Sequence, residues 1–410
     1  MTDRIVIVGG GLAAATAATE LRKRGFDGSI RMLAAEPHSP YIRPPLSKEY
    51  LLGTEERSKA FVHPDDWYQE HDVQLTTSAR VESIDRAART VTLAGGEVVE
   101  YDRLLLATGA EPRRLSLPGS DAAGIHYLRT LENSEELRDA LAGGSKRVAI
   151  VGAGWIGLEI AAAARGYGND VVVIGMEKVP LSGPLGGELG AVFQRLHESH
   201  GVRFELDTAT TGFRVVDGKV AGVIIDDGSE PRTVDADLVV VGVGTIASTE
   251  LAVAAGLTVG NGILVDASLR TSDERIFAAG DVANAWHPVL GAQLRNEHWA
   301  TAKASGKVAA ASMAGDEAQL DAIPYFYTDQ FELGMEYSGY GPLARNARVV
   351  YRGDPASLEF IAFWVADDRV VAGMNVNFWD VNDQVQELIR SRRQVDIARL
   401  ADASIPLAEV

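Results

Sequence analysis

Two glycine clusters carry the most legible chemistry in this chain. Gly9-Gly10-Gly11-Leu12-Ala13-Ala14 reads G-x-G-x-x-A, and Gly152-Ala153-Gly154-Trp155-Ile156-Gly157 reads G-x-G-x-x-G. Glycines at these spacings let the backbone turn tightly and approach a pyrophosphate. The helix that follows offers its N-terminal amides to the negative charge. Glu36 ends the next apolar run, where an acid bonds an adenosine ribose. Two such sets imply two bound dinucleotides. The chain contains no cysteine. That excludes disulfides, thiolate metal sites, cysteine-ligated iron–sulfur clusters and redox-active dithiols, and no metal site is assigned.

The elements that must position these residues follow from local pattern. Ile5 to Val8 and Arg147 to Val151 are apolar, β-branched runs of the kind buried on both faces of a parallel sheet. Each enters its glycine cluster and then an Ala-rich helical stretch. The partner strands are Ile30 to Ala34 and Val171 to Ile174. Leu104-Leu105-Leu106 runs into Ala107-Thr108-Gly109. Leu238 to Val241 runs into Gly242-Val243-Gly244, and Ile276-Phe277-Ala278-Ala279 into Gly280-Asp281. From about Tyr327 no glycine-rich turn recurs. Strands near 347–352, 359–365 and 370–376 precede one helix, 381–392, which suggests a small α+β piece.

A length of 410 residues suggests two or three domains. Asp and Glu outnumber Lys and Arg 57 to 39, a net charge of −18 that disfavours nucleic acid or an anionic membrane as partner. No apolar run approaches the roughly 20 residues of a membrane span. Met1-Thr2-Asp3-Arg4 leads directly into the first strand with no signal-peptide pattern, so a cytoplasmic protein is expected.

These segments, in this order, resemble the two-dinucleotide-binding-domain flavoproteins. Within them, Tyr41-Ile42-Arg43-Pro44-Pro45-Leu46-Ser47-Lys48 resembles the FAD-dependent ferredoxin, rubredoxin and putidaredoxin reductases that serve oxygenases and cytochromes P450. Gly334-Met335-Glu336-Tyr337, Glu297-His298-Trp299, Gly373 to Asn377 with Trp379-Asp380, and Ile389 to Arg393 point the same way. The resemblance implies an α/β fold: two Rossmann-like dinucleotide-binding domains plus a small C-terminal α+β domain. FAD would occupy a discontinuous domain, 1–112 and 248–326. NADH or NADPH would occupy 113–247, and 327–410 would form an interface domain in a monomer or homodimer.

The resemblance also implies roles. Around FAD it sets Gly9, Gly11, Ala14, Glu36, Arg43, Ala107, Thr108 and Gly109, with Asp281 on the ribityl chain and Glu297, His298 and Trp299 closing the pocket. Around the nicotinamide nucleotide it sets Gly152, Gly154, Ile156, Gly157, Glu159, Gly242, Val243 and Gly244, with Gly175, Glu177 and Lys178 beyond the second strand. Pro45 forms a rigid wall, and Lys48, paired with Glu159, lies near flavin N5. The ordinary readings are a solvated helix-start lysine for Lys48, a favourable helix-start acid for Glu159 and core packing for Trp299.

Relatives usually place Glu or Asp after the second strand, at the position of Gly175, which favours NADH. Its loss leaves NADH against NADPH open, since Lys178 could attract a 2′-phosphate but no Arg stands nearby. Thr245 to Ser248 also depart from the family pattern. Without thiols, electrons must pass directly from flavin to an external acceptor. The expected activity is hydride transfer from NAD(P)H to FAD, then single electrons to a small iron–sulfur ferredoxin. Arg390, Arg392 and Arg393 could dock that acidic partner, or could be a solvated helix end. The alternatives are a slow-turnover redox-sensing flavoprotein that works by binding partners, or a direct quinone-type reductase.

Overall fold

The computed structural model describes residues 3–410, which divide into two compact units. The first comprises residues 3–42, 57–111 and 246–324; the second comprises 43–56, 112–245 and 325–410.

The first unit is built on a parallel sheet in the order Ile276–Ala278, Arg103–Leu106, Arg4–Val8, Ser29–Leu33, Val73–Thr76. Ile7 sits between Met32 and Leu105, and all three are fully buried. This is why the strands read as continuous apolar runs with no alternation. Helices Leu12–Lys23 and Trp299–Ala314 pack at very close range. A Cβ on Gly306 would stand 2.6 Å from the Ala13 carbonyl oxygen, so only glycine allows that approach. Two smaller sheets that the apolar pattern does not announce complete the unit. One is Val81–Asp85, Thr90–Leu93 and Val98–Glu100; the other is Val259–Gly260, Gly262–Val265, Ala283–His287 and Ala292–Leu294.

The second unit repeats the parallel design in the order Val202–Glu205, Asp170–Ile174, Arg147–Val151, Leu238–Val241, Ile125–His126. Its C-terminal part is an antiparallel sheet in the order Tyr325–Gln330, Leu333–Gly339, Arg369–Val376, Glu359–Ala366, Arg348–Asp354. Helix Asn382–Ser391 covers this sheet, burying Val385, Leu388 and Ile389. The last three strands and the helix fall where the pattern predicts them. The first hairpin does not, because the inward side chains of its leading strand include Thr328 and Gln330, each 1% exposed. Buried polar residues break the apolar alternation by which a strand is recognised.

The segment Arg43–Glu56 belongs to this second unit. The Ser134 hydroxyl donates to the Leu46 carbonyl at 2.8 Å, and the Tyr167 hydroxyl donates to that of Leu51 at 2.8 Å. Among the described residues no helix is long and apolar enough to cross a membrane, and no group of His, Asp and Glu is arranged to hold a metal ion.

Candidate active site

In the first unit the strand Arg4–Val8 ends at Gly9, whose φ of +136° is a glycine conformation. A Cβ there would lie 2.1 Å from the Ala107 carbonyl oxygen, so strand and turn meet where only glycine fits. Gly11 caps helix Leu12–Lys23 in extended conformation with no side-chain hydrogen bond. A Cβ on it would meet nothing within 4 Å. A glycine turn leading into a helix start with no capping side chain is the arrangement that receives a phosphate. Ala14 has no exposed surface and serves packing.

Gly280 (φ +75°) donates its N–H to the Ser305 hydroxyl at 2.9 Å, and a Cβ on it would be 3.0 Å from the Ala13 Cβ. The turn carrying Asp281 is thus brought to the start of the same helix. Glu36 is half-buried and accepts the Tyr41 hydroxyl. Thr108 donates to the Ser248 carbonyl at 2.8 Å, and Gly109 follows at φ +73°. Arg295 bridges the Asp281 carbonyl and the Glu297 carboxylate, at 3.3 and 2.7 Å. Burial lowers His298 to about 4, leaving it neutral, and Trp299 lies under the Lys303 ammonium at 4.3 Å. The glycine turn, uncapped helix start and flanking acids fit a dinucleotide.

The second unit builds the same turn from different contacts. Gly152 has φ +117°, and a Cβ on it would be 2.3 Å from the Gly242 carbonyl oxygen. One on Gly157 would be 2.1 Å from the Gly152 carbonyl oxygen. Gly154 caps helix Trp155–Gly166 as Gly11 caps its own, extended, and a Cβ on it would again meet nothing within 4 Å. Ile156 is 45% exposed on the first helical turn, and Val243 and Gly244 border the same open end. Gly175 is buried while Glu177 and Lys178 are exposed. A Cβ at Gly175 would press on the Ala153 Cβ at 2.9 Å, so the missing acid leaves a position too tight for any side chain without movement.

The same unit buries an ion pair. The Lys48 ammonium lies 2.8 Å from Glu159 Oε1, with side chains 8% and 4% exposed. Lys48 follows the 3-10 turn Pro44–Ser47, which carries buried Pro45, and Glu159 faces it from helix Trp155–Gly166. The Thr328 hydroxyl donates to Oε1 at 2.6 Å and the Ser47 hydroxyl to Oε2. Three donors thus converge on one carboxylate. The Tyr327 ring centroid is 5.6 Å from the ammonium. Burial raises the Tyr327 hydroxyl and the Asp329 carboxyl, although Lys48 pulls Asp329 the other way. Arg43 stands apart from the pair and donates to the Arg129 carbonyl. Sequence reasoning missed Ser47, Thr328, Gln330 and His197. The available signal was two polar residues at alternate positions of the strand Tyr325–Gln330.

Arg390, Arg392 and Arg393 are all exposed at the end of helix Asn382–Ser391. Arg369 donates to the Arg392 carbonyl at 2.8 Å and adds a fourth guanidinium to the cluster.

Two parallel-sheet units, each with a glycine turn at a helix start, define a pyridine-nucleotide-dependent oxidoreductase of the two-dinucleotide class. Residues 3–306 match the pyridine nucleotide-disulphide oxidoreductase family and residues 325–410 the reductase C-terminal family; the chain belongs to the first and carries the second as its C-terminal part. The ferredoxin–NAD(+) reductase component of the anthranilate 1,2-dioxygenase system of Burkholderia cepacia is 39% identical over 99% of this chain and 98% of its own. The ferredoxin reductase of the CYP199A2 system of Rhodopseudomonas palustris superposes with a TM-score of 0.94 at 34% identity, covering 100% of both chains. The reductase in a covalent putidaredoxin reductase–putidaredoxin complex gives 0.94 at 34% identity, covering 99% of this chain and 97% of that one.

Proposed function

We propose that this protein is an FAD-dependent NAD(P)H:ferredoxin oxidoreductase that supplies electrons to a cytochrome P450 or ring-hydroxylating oxygenase. The observation that carries this reading is a chain with two dinucleotide turns and no cysteine. The disulphide chemistry in the family's name has no thiol to run on here. When bound, FAD supplies the conversion of a two-electron hydride donor into a one-electron donor. The chain's own residues bind and orient. FAD is assigned to 1–112 and 248–326, except for the segment Arg43–Glu56, which packs within the second unit, and the nicotinamide nucleotide to 113–247. The backbone from Gly9 to Gly11 receives one pyrophosphate and that from Gly152 to Gly154 the other, with Glu36 on the adenosine ribose. Lys48 supplies a fixed positive charge against the negative charge that reduction brings, and Glu159 holds that ammonium in place.

The test is cytochrome c reduction by the FAD-loaded protein, with NADH and NADPH as donors, with and without a small iron–sulfur ferredoxin. Strong dependence on ferredoxin is expected. Efficient quinone reduction to which ferredoxin adds nothing would overturn the reading. The relatives above, named as ferredoxin or putidaredoxin reductases, lend no support to the sensor or quinone alternatives.

The docking assignment for Arg390, Arg392 and Arg393 rests on their exposure on a chain of net charge −18. Reversing their charge should slow ferredoxin reduction and leave ferricyanide reduction intact, because a small acceptor needs no docking surface. The wild-type ferredoxin reaction should also slow as salt shortens the screening length to about 8 Å. Equal losses with both acceptors would mean that the arginines support the fold.

A further inference from the structure

We propose that Thr328, Gln330 and His197 form a buried, one-directional hydrogen-bond chain that holds the Glu159 carboxylate aimed at Lys48, which makes them positioning residues for that pair. The functional part of this inference rests on the role given to Lys48 and Glu159 above.

The chain's direction follows from donor and acceptor chemistry. His197 is fully buried in helix Gly187–Ser199 between the rings of Phe204 and Phe331. Burial lowers it to about 4, so the ring is neutral and carries one N–H. Its Nε2 lies 2.8 Å from the Gln330 Oε1, which can only accept, so the proton is on Nε2. Among the described residues Nδ1 has no hydrogen-bond partner, as expected of a bare acceptor in an aromatic pocket. With Oε1 so engaged, the Gln330 amide turns its N–H toward the Thr328 hydroxyl oxygen at 3.1 Å. Thr328 has a single proton, and it points to Glu159 Oε1 at 2.6 Å.

Gln330 fills the acceptor side of the Thr328 hydroxyl, so its single proton is left for Glu159 Oε1. Ser47 adds a donor on Oε2, so both oxygens are fixed and the carboxylate cannot rotate away from the ammonium. The other ionisable groups around the pair are Tyr327, which faces Lys48, and Asp329, which feels Lys48, Glu49 and Glu159. Neither donates to Glu159 among the described contacts. A purely structural account, in which these groups merely satisfy one another, predicts no effect specific to Lys48.

The experiment uses the FAD-loaded protein and two readouts. The first is amine-reactive labelling of Lys48, quantified by mass spectrometry against exposed Lys178 in the same sample. The second is stopped-flow flavin reduction by NADH. Thr328→Val keeps the shape and removes the hydroxyl, so Lys48 labelling should rise and flavin reduction should fall, each about tenfold. Thr328→Ser should restore both, and Gln330→Met should give a smaller change in the same direction. Unchanged Lys48 labelling in folded Thr328→Val or Gln330→Met would overturn the chain, as would Thr328→Ser behaving like Thr328→Val. If Thr328→Val does not fold, Gln330→Met and Thr328→Ser decide the matter. Lys48→Met with normal flavin reduction would remove the catalytic reading of the pair, while the labelling result would still judge the chain.

Discussion

The buried pair makes an asymmetric prediction about stability. Lys48→Met leaves Glu159 buried, but with the Ser47 and Thr328 hydroxyls still donating to it. Glu159→Gln leaves an ammonium 8% exposed, with the Tyr327 ring nearby and its carboxylate gone. Breaking a buried pair from one side costs about 3–5 kcal/mol. For Glu159→Gln the upper end is set by discharging an ordinary lysine at pH 7, about 5 kcal/mol. For Lys48→Met, two remaining charge-assisted hydrogen bonds offset part of the loss, and about 2 kcal/mol is expected. The double variant buries no charge and should be destabilised less than Glu159→Gln alone. The coupling in the double-mutant cycle should therefore exceed about 2 kcal/mol. Since the chain has two units, one global unfolding free energy is ill defined. Hydrogen exchange of the helix Trp155–Gly166 amides in increasing urea follows the relevant unit by itself. Additive single effects, or Lys48→Met costing more than Glu159→Gln, would refute the reasoning.

Gly9→Ala and Gly152→Ala should each cost more than about 2 kcal/mol, because both place a Cβ within 2.3 Å of a carbonyl oxygen at positive φ; measured flavin content should fall in the first variant and NADH affinity in the second. Installing an acid for NADH selection should fail at Gly175, where Ala153 blocks the Cβ, and should succeed at Met176, which is 75% exposed. The ratio of kcat/KM for NADH over NADPH in Met176→Glu, compared with Gly175→Glu, checks this. His197, held near 4 when folded, binds fewer protons than the unfolded chain between about pH 4 and 6.5. Stability should consequently fall as pH drops through that window, by about 3 kcal/mol in all, and His197→Phe should flatten the slope of a pH-dependent unfolding series.

Both dinucleotide turns were legible because their causes are local. A glycine cluster between an apolar run and an Ala-rich stretch has few other uses, and Gly9 and Gly152 prove to be positions where a Cβ has no room. The parallel strands were legible for a similar reason, since burial on both faces leaves unbroken apolar runs such as Ile5 to Val8 and Val148 to Val151. The smaller sheets were not, because strands such as Val81–Asp85 bury little and alternate weakly. Gly175 shows a subtler limit. Its type revealed a missing acid, but the crowding by Ala153 and Leu206 that keeps it small depends on the packed turn.

The support for Lys48 was illegible for the opposite reason, because its links span very long sequence distances. Thr328 and Glu159 are 169 residues apart, and His197 and Gln330 are 133 apart. Read one at a time, a histidine on an apolar helix face and a glutamine in a strand look like isolated polar residues that happen to be buried. Their meaning depends on proton direction, which only the assembled set determines. A family motif could point to Lys48 and Glu159 as a pair. It could not show that the carboxylate takes its orientation from a strand outside both dinucleotide turns, Tyr325–Gln330, in the C-terminal sheet. That ties the C-terminal part to the buried pair of the second unit through Thr328. It also explains why the leading strand of that sheet buries Thr328 and Gln330, where an ordinary sheet would bury valine and leucine.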